Sequence, residues 1–314
     1  MNSPDKDDIL RASSRIASFI HRTPVITSRS INEMLNCSIF FKCENFQKAG
    51  AFKYRGATNA IWQLHEEELI HGVATHSSGN HAQALALAAG VRNAKAYIVM
   101  PSDAPLIKKN AVVGYGAEVI ECEPTLEARE TTLDEIVRGK KAHVVHPYND
   151  YRIIAGQATA ALELIEDAGL LDVLIAPVGG GGLLSGSSLA VKYFSTGTVV
   201  FGAEPEGADD ARRSLEKGAI VPSINPRTIA DGLLTSLGTK TFPIIKEHVE
   251  RIFTVPDKAI VAAMKLIWQR MKIVVEPSAA VPLAVVMENK AHFKEKNIGI
   301  ILSGGNVDLE NLPF

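Results

Sequence analysis

Short runs in which nearly every position is apolar alternate along this chain with longer stretches whose apolar residues recur every three or four positions. The runs SIFFKCE (38–44), GVATHS (72–77), KAYIVMP (95–101), AEVIECE (117–123), AHVVHP (142–147), DVLIAPV (172–178), TVVFGAE (198–204), RIFTVP (251–256) and IGIILSG (298–304) have the length and β-branched content of strands. Helical periodicity fills many of the gaps, as in NHAQALALAAG (80–90), TLEARETTLDEIV (125–137), QATAALELIEDA (157–168), KAIVAAMKLIWQRM (258–271) and PSAAVPLAVVMEN (277–289). The strands are near-continuous rather than alternating in polarity, as burial on both faces requires. An α/β protein follows, with open, mostly parallel sheets flanked by helices. No linker, repeat or shift in composition marks a domain boundary.

The 314 residues suffice for one large or two modest domains. With 33 basic against 35 acidic residues and a formal net charge of −2, nothing favours nucleic acid or an anionic membrane, and a small molecule is the expected partner. Three cysteines, Cys37, Cys43 and Cys122, lack zinc-site spacing and disulfide density, which fits a reducing cytoplasm. The acidic start MNSPDKDDILRAS has no apolar leader core, and no apolar run approaches the about 20 residues of a membrane span.

Ligands of open α/β sheets gather beyond the carboxyl ends of strands, so the loops SSGNH, GGGGLLSG and SGGNVD are where chemistry is expected. Gly179, Gly180, Gly181 and Gly182 leave a buried strand and open a helix. Backbone N–H groups there can approach an anion closely, and the helix dipole favours its charge. Leu183 and Leu184 stand where a P-loop needs Lys and Ser or Thr, which disfavours nucleotide hydrolysis. Neither register of the glycines matches the dinucleotide fingerprint, whose third glycine would fall on Leu184 or Ser185. A compact phosphate monoester of the kind carried by pyridoxal phosphate remains. An aldehyde cofactor needs an amine, and a desolvated lysine or one beside a cation supplies it. Lys53, beside Phe52 and near Arg55 at the start of a helical stretch, satisfies that description, although a lysine so placed is by itself more often solvated.

FQKAGAFKYRGA (46–57), SSGNHAQALALAA (77–89), PVGGGGLLSG (177–186) and SGGNVD (303–308), in this order, resemble the pyridoxal-phosphate enzymes of the tryptophan-synthase-β type, and within them the serine racemase and serine/threonine dehydratase family. The resemblance runs from residue 21 to SGGNVDL, and the four motifs together are far more specific than any one alone. It implies a large domain of residues 1–69 and 147–314, a small domain of residues 70–146 inserted in it, a cofactor in the cleft between them, and a homodimer. By resemblance, Lys53 would bind the cofactor aldehyde and move the α-proton on one face. Phe52 would pack against the cofactor, Asn80 would bond its ring hydroxyl, Gly179 to Gly182 with Leu183 would cradle its phosphate, and Ser303 would face the ring nitrogen. Ser77, Ser78, Asn80 and His81 would meet the substrate, and His76 and Tyr148 would line its side of the cleft. Taken alone, Ser303 reads equally as a turn residue, and the serines as a helix cap.

Serine at position 78, where dedicated threonine dehydratases resemble one another in carrying alanine, supplies a hydroxyl for the second face of a planar carbanion, which a methyl cannot. The implied reaction is racemisation of serine together with β-elimination to a 2-oxo acid and ammonia. The alternatives are a threonine or 3-hydroxyaspartate dehydratase with little racemisation and, more remotely, a β-replacement synthase or a regulatory protein on a dead scaffold. Arg129 aligns with a family arginine able to bind a second carboxylate, though in so charged a helix it also reads as solvated. The stretch AEPEGADD resembles a divalent-cation loop, with Glu204, the Ala208 carbonyl and Asp210 as ligands for Mg²⁺, Ca²⁺ or Mn²⁺, while spacing alone fits a capping turn equally well. A nucleotide effector at a dimer interface, through Lys48, is a further implication of the resemblance.

Overall fold

The computed structural model describes residues 3–314. Its ten strands are β1 (Val25–Ile26), β2 (Ser38–Cys43), β3 (Val73–His76), β4 (Ala96–Pro101), β5 (Glu118–Cys122), β6 (His143–Val144), β7 (Val173–Pro177), β8 (Val199–Pro205), β9 (Arg251–Val255) and β10 (Asn297–Leu302). They form two sheets. A six-stranded sheet has the order β1-β2-β10-β7-β8-β9 and a four-stranded sheet the order β5-β4-β3-β6. Every pairing is parallel except that of β1 with β2, whose partners are Val25 with Lys42 and Ile26 with Phe41. The chain is thus a two-domain α/β protein of the expected class.

Helices cover both faces of each sheet, which explains the uninterrupted apolar strands. On one face of the large sheet, Ile175, Ala203, Ile298 and Ile300 pack with the helices Asp257–Met271 and Pro277–Glu288. On the other, Leu174, Ala176, Val200 and Ile301 pack with the helices Tyr151–Ala168 and Gly182–Phe194. The small sheet divides in the same way. Val73, Ala96, Ile98 and Met100 face the helices Lys53–Ile61 and Asn80–Val91, while Ala74, Tyr97 and Val99 face Leu133 and Ile136 of the helix Leu126–Lys140.

Two glycines fix the helix that begins at Lys53. A Cβ on Gly156 would lie 2.7 Å from the Cα of Gly56, so the helices Lys53–Ile61 and Tyr151–Ala168 meet backbone to backbone. Arg55 locks that crossing. Its guanidinium, with no exposed surface, donates to both carboxylate oxygens of Glu44 at 2.7 and 2.8 Å and to both of Glu163 at 2.7 Å. Lys42 Nζ adds an ion pair to Glu163 at 2.6 Å. Two cations and two carboxylates tie β2, its following turn and the two helices into one block.

Candidate active site

The segment carrying Lys53 crosses the one that follows β10. Phe52 N–H donates to the Ser303 carbonyl at 3.0 Å, and Ala51 bridges Gly304. Ser303 is buried against this crossing. Lys53 Nζ donates to the Pro147 carbonyl at 3.0 Å and lies 5.2 Å from the centre of the Phe52 ring. Burial pushes the Lys53 pKa down to about 8, against an upward pull from the Glu276 carboxylate. The sequence suggests Arg55 as a cation helping in this, and the structure corrects that. Arg55 is committed to Glu44 and Glu163, and its charge has no part in the lysine's shift. Desolvation alone carries the activation.

Asn80, first residue of the helix after β3, sits in a partly buried polar chain. Its Nδ2 donates to Glu276 Oε1 at 2.9 Å and Oε2 at 3.1 Å, and its Oδ1 accepts from Asn306 Nδ2 at 2.9 Å. Asn306 Nδ2 also donates to the Ala49 carbonyl at 2.8 Å. Burial pushes the Glu276 carboxyl up to about 7, with Asp231 adding to the effect and the Asn80 amide opposing it. Sequence reasoning missed Glu276. The available signal was its isolation as the one charged residue between Lys272 and Glu288, immediately before a proline-started helix.

The four glycines are buried and leave β7 directly for the helix Gly182–Phe194. A Cβ on Gly180 would lie 2.3 Å from the Tyr148 ring, and Gly181 has φ of +90°, so neither position accepts a side chain without strain. The N–H groups of Gly179 to Gly182 donate to no protein acceptor among the described residues. Buried donors without partners at a helix N-terminus are what a phosphate ester would satisfy, so the residues present fit that group. Thr241 Oγ1 donates to the Gly180 carbonyl at 2.8 Å and holds the loop from behind. Over Gly179 lies Leu233, in the turn Asp231–Leu233. Lys108, on the helix Leu106–Gly114 beside the small sheet, pairs with Asp231 of that turn.

Ser77 and Ser78 occupy the loop between β3 and the Asn80 helix, both partly exposed. Ser77 N–H donates to the Val99 carbonyl at 3.1 Å, and its Oγ accepts from Gly79 N–H at 3.4 Å. His81 is buried, with Nε2 at 3.0 Å from the Val145 carbonyl and Nδ1 without a partner among the described residues. Burial, with the Lys53 charge next, pushes its pKa down to about 3. Arg129 is partly buried, with an enclosed Nε that has no partner among the described residues, and its charge reaches His76 at the end of β3. Tyr148 packs its ring against Gly180 and its backbone against Gly182. Lys48 lies elsewhere, its Nζ 6.0 Å from the centre of the Tyr54 ring.

Beyond β8 a second polar cluster forms. Glu204 accepts from the N–H groups of Ala211 and Arg212 at 2.9 and 3.0 Å, and Ala208 is buried in the turn between them. Both carboxylate oxygens of Asp210 are buried without a partner among the described residues. Burial pushes Glu204 up to about 8 and Asp210 up to about 6. No three His, Cys, Asp or Glu side chains converge among the described residues, so the acidic donors here number two, with a carbonyl beside them.

The chain matches the family described as "Pyridoxal-phosphate dependent enzyme" over residues 16–304. It is 51% identical over 311 residues to a serine racemase of Dictyostelium discoideum, covering 97% of this chain and 95% of that protein. It is 49% identical over 314 residues to a β-hydroxyaspartate dehydratase of Paracoccus denitrificans, covering 100% of each. The structure of maize serine racemase superposes with a TM-score of 0.96 at 45% identity, covering 98% of this chain and 95% of that one.

Proposed function

The chain belongs to the pyridoxal-phosphate dependent enzymes, and we propose that it racemises serine and also eliminates water from L-serine and related β-hydroxy amino acids, giving D-serine, or a 2-oxo acid and ammonia. The observation that carries this reading is a desolvated lysine amine, with its pKa pushed down to about 8, in a fold whose glycine loop offers unpartnered buried N–H groups. When bound, pyridoxal phosphate supplies the electron sink that makes a substrate α-proton acidic.

Gly179 to Gly182 and Leu183 would hold the phosphate, Phe52 the flank of the ring, and Ser303 the ring nitrogen. A hydroxyl, unlike a carboxylate, leaves that nitrogen without a fixed counter-charge, which favours prompt elimination or reprotonation over transamination. The Glu276 carboxylate needs only one hydrogen of the Asn80 amide, which leaves the other for the ring hydroxyl. Lys53 would move the α-proton on one face and Ser78 on the other. Ser77 and the N-terminus of the Asn80 helix suit the substrate α-carboxylate. The burial of His81 favours a supporting role behind these groups.

Position 78 gives the test. Ser78→Ala should lower racemisation by about 10²-fold or more while elimination stays within a few-fold. Equal loss of both activities would reject the two-face assignment. A second reading, elimination from 3-hydroxyaspartate, is favoured by the unpartnered Arg129 Nε, which a second carboxylate would satisfy. A panel of L-serine, D-serine, L-threonine and the hydroxyaspartate diastereomers, scored for 2-oxo acid and enantiomer, ranks the two.

Residues 1–69 with 147–314 and residues 70–146 form the two domains in this reading, the protein is a cytoplasmic homodimer, and Lys48 contributes to a nucleotide effector site. Glu204, the Ala208 carbonyl and Asp210 hold Mg²⁺ or a similar hard cation in a structural or activating role, which would satisfy the two Asp210 oxygens.

A further inference from the structure

Among the described residues Lys53 Nζ has one hydrogen-bond partner, the Pro147 carbonyl, and the turn that presents this carbonyl is built by the neighbouring imidazole. His146 Nδ1 accepts from Tyr148 N–H at 3.2 Å and from Asn149 N–H at 2.9 Å. Both partners are donors, so Nδ1 must be the unprotonated nitrogen and the ring proton sits on Nε2. The turn is fastened on both sides. His81 Nε2–H donates to the Val145 carbonyl just before it. Asn149 just after it accepts from Lys240 N–H at 2.7 Å and donates to Thr239 Oγ1 at 3.1 Å. Thr241, which follows Lys240 and begins the helix Thr241–His248, holds the Gly180 carbonyl. One short segment, where the chain returns from the small sheet to the large one, therefore connects the lysine amine to the back of the glycine loop.

We infer that His146 is a positioning residue: through Nδ1 it folds the 146–149 turn so that the Pro147 carbonyl receives and holds the Lys53 amine whenever that amine is free of the cofactor. The inference rests on the reading of Lys53 given above and deepens it. An amine that exchanges its bond to an aldehyde must be released and recaptured each turnover, and a fixed acceptor limits the positions it explores meanwhile. A protonated His146 could not accept these two bonds. The groups acting on it are His76, Lys53 and Lys240, whose charges disfavour protonation, and Asp150, which favours it; burial dominates and holds the pKa at about 4. The ring therefore remains an acceptor throughout the physiological range. Tyr148, edge-on to His146 at 4.6 Å between centroids, fills the space beside the imidazole.

The test compares the holoenzyme with His146→Leu and His146→Asn. An asparagine Oδ1 can accept the same two backbone N–H groups, and leucine accepts none. Stopped-flow mixing with L-serine follows the loss and return of the visible band of the lysine-bound cofactor. His146→Leu should slow both phases by about 10- to 100-fold, and His146→Asn should stay within about 3-fold of the parent. Unchanged phases in a folded His146→Leu protein, or an Asn variant as slow as Leu, would overturn the role. A ¹⁵N histidine spectrum of the parent gives a check that needs no variant: His146 must show a bare Nδ1 and a protonated Nε2 from pH 6 to 8, and the opposite tautomer overturns the inference. Absence of the visible band from the parent removes the reading of Lys53 itself, whereas a normal band with unaltered exchange in His146→Leu removes only the role of His146.

Discussion

Lys53 and Arg55 stand two residues apart at the start of one helix, and the fold treats their charges in opposite ways. Burial acts against both. Around Arg55 it is more than offset by Glu44 and Glu163, whose four oxygens take its donors, and its pKa is held above the ordinary value. Around Lys53 the one opposing charge among the described residues is Glu276, which is itself engaged by Asn80, and the pKa falls to about 8. A fully paired buried cation is locked in place, whereas one given a single carbonyl partner keeps a reactive lone pair within reach. The same helix thus supplies an anchor and a nucleophile, separated by how many oxygens each side chain is offered.

The largest effect should come from removing the nucleophile. Lys53→Ala should abolish the visible cofactor band and lower both activities by at least about 10⁴-fold, and retention of a borohydride-sensitive band would break the comparison at its reactive end. At the anchored end, Arg55→Leu leaves two buried carboxylates with only Lys42 and should cost about 3–5 kcal/mol of stability by urea denaturation. The protein that still folds should keep its visible band, because the charge of Arg55 does not tune the lysine.

Glu276 allows the comparison to be sharpened by pH. Its carboxyl has a reference value of 4.5 and is held at about 7 in the fold, so the folded state retains a proton over that interval. Stability from this group is full below about 4.5 and is lost as pH rises through about 7. Glu276→Gln does not titrate, so its denaturation midpoint should gain on the parent between pH 5 and 8 by an amount equivalent to about 2 kcal/mol. A pH-independent difference would show that the carboxyl ionises normally. The smallest expected effect concerns Glu204 and Asp210, which contrast with the acids around Arg55 in that the nearby arginines, Arg212 and Arg213, pair with Asp209 instead. Chelation should lower stability by about 1–2 kcal/mol and Mg²⁺ should restore it, while indifference to both would leave the pair as plain buried acids.

The strands were legible because parallel sheets buried on both faces demand apolar runs, and the glycine loop because a close approach to an anion demands missing side chains. Legibility weakened where pairing sets the boundary. The AHVVHP run pairs only at His143 and Val144, and β1, inside TPVITS, is held by two residues against β2. It failed where function depends on partners distant in the chain. Glu276 meets Asn80 from 196 residues away, and Arg55 meets Glu163 from 108 residues away. Nearness in sequence made Arg55 read as a tuning cation for Lys53. His146 was legible only as one end of a strand, because its role lies in two local backbone bonds that no residue type announces.

β10 lies between β2 and β7, with Asn297 to Leu302 matched to Ser38 to Cys43 on one side and Ile298 to Ile300 matched to Val173 to Ile175 on the other. During synthesis, β2 therefore leaves the ribosome long before the neighbour that completes its hydrogen bonding, and the nascent large sheet has an open seam until residue 302 has emerged. That topology slows assembly relative to a fold built from sequential hairpins, and until it is complete the seam is open to pairing with another chain.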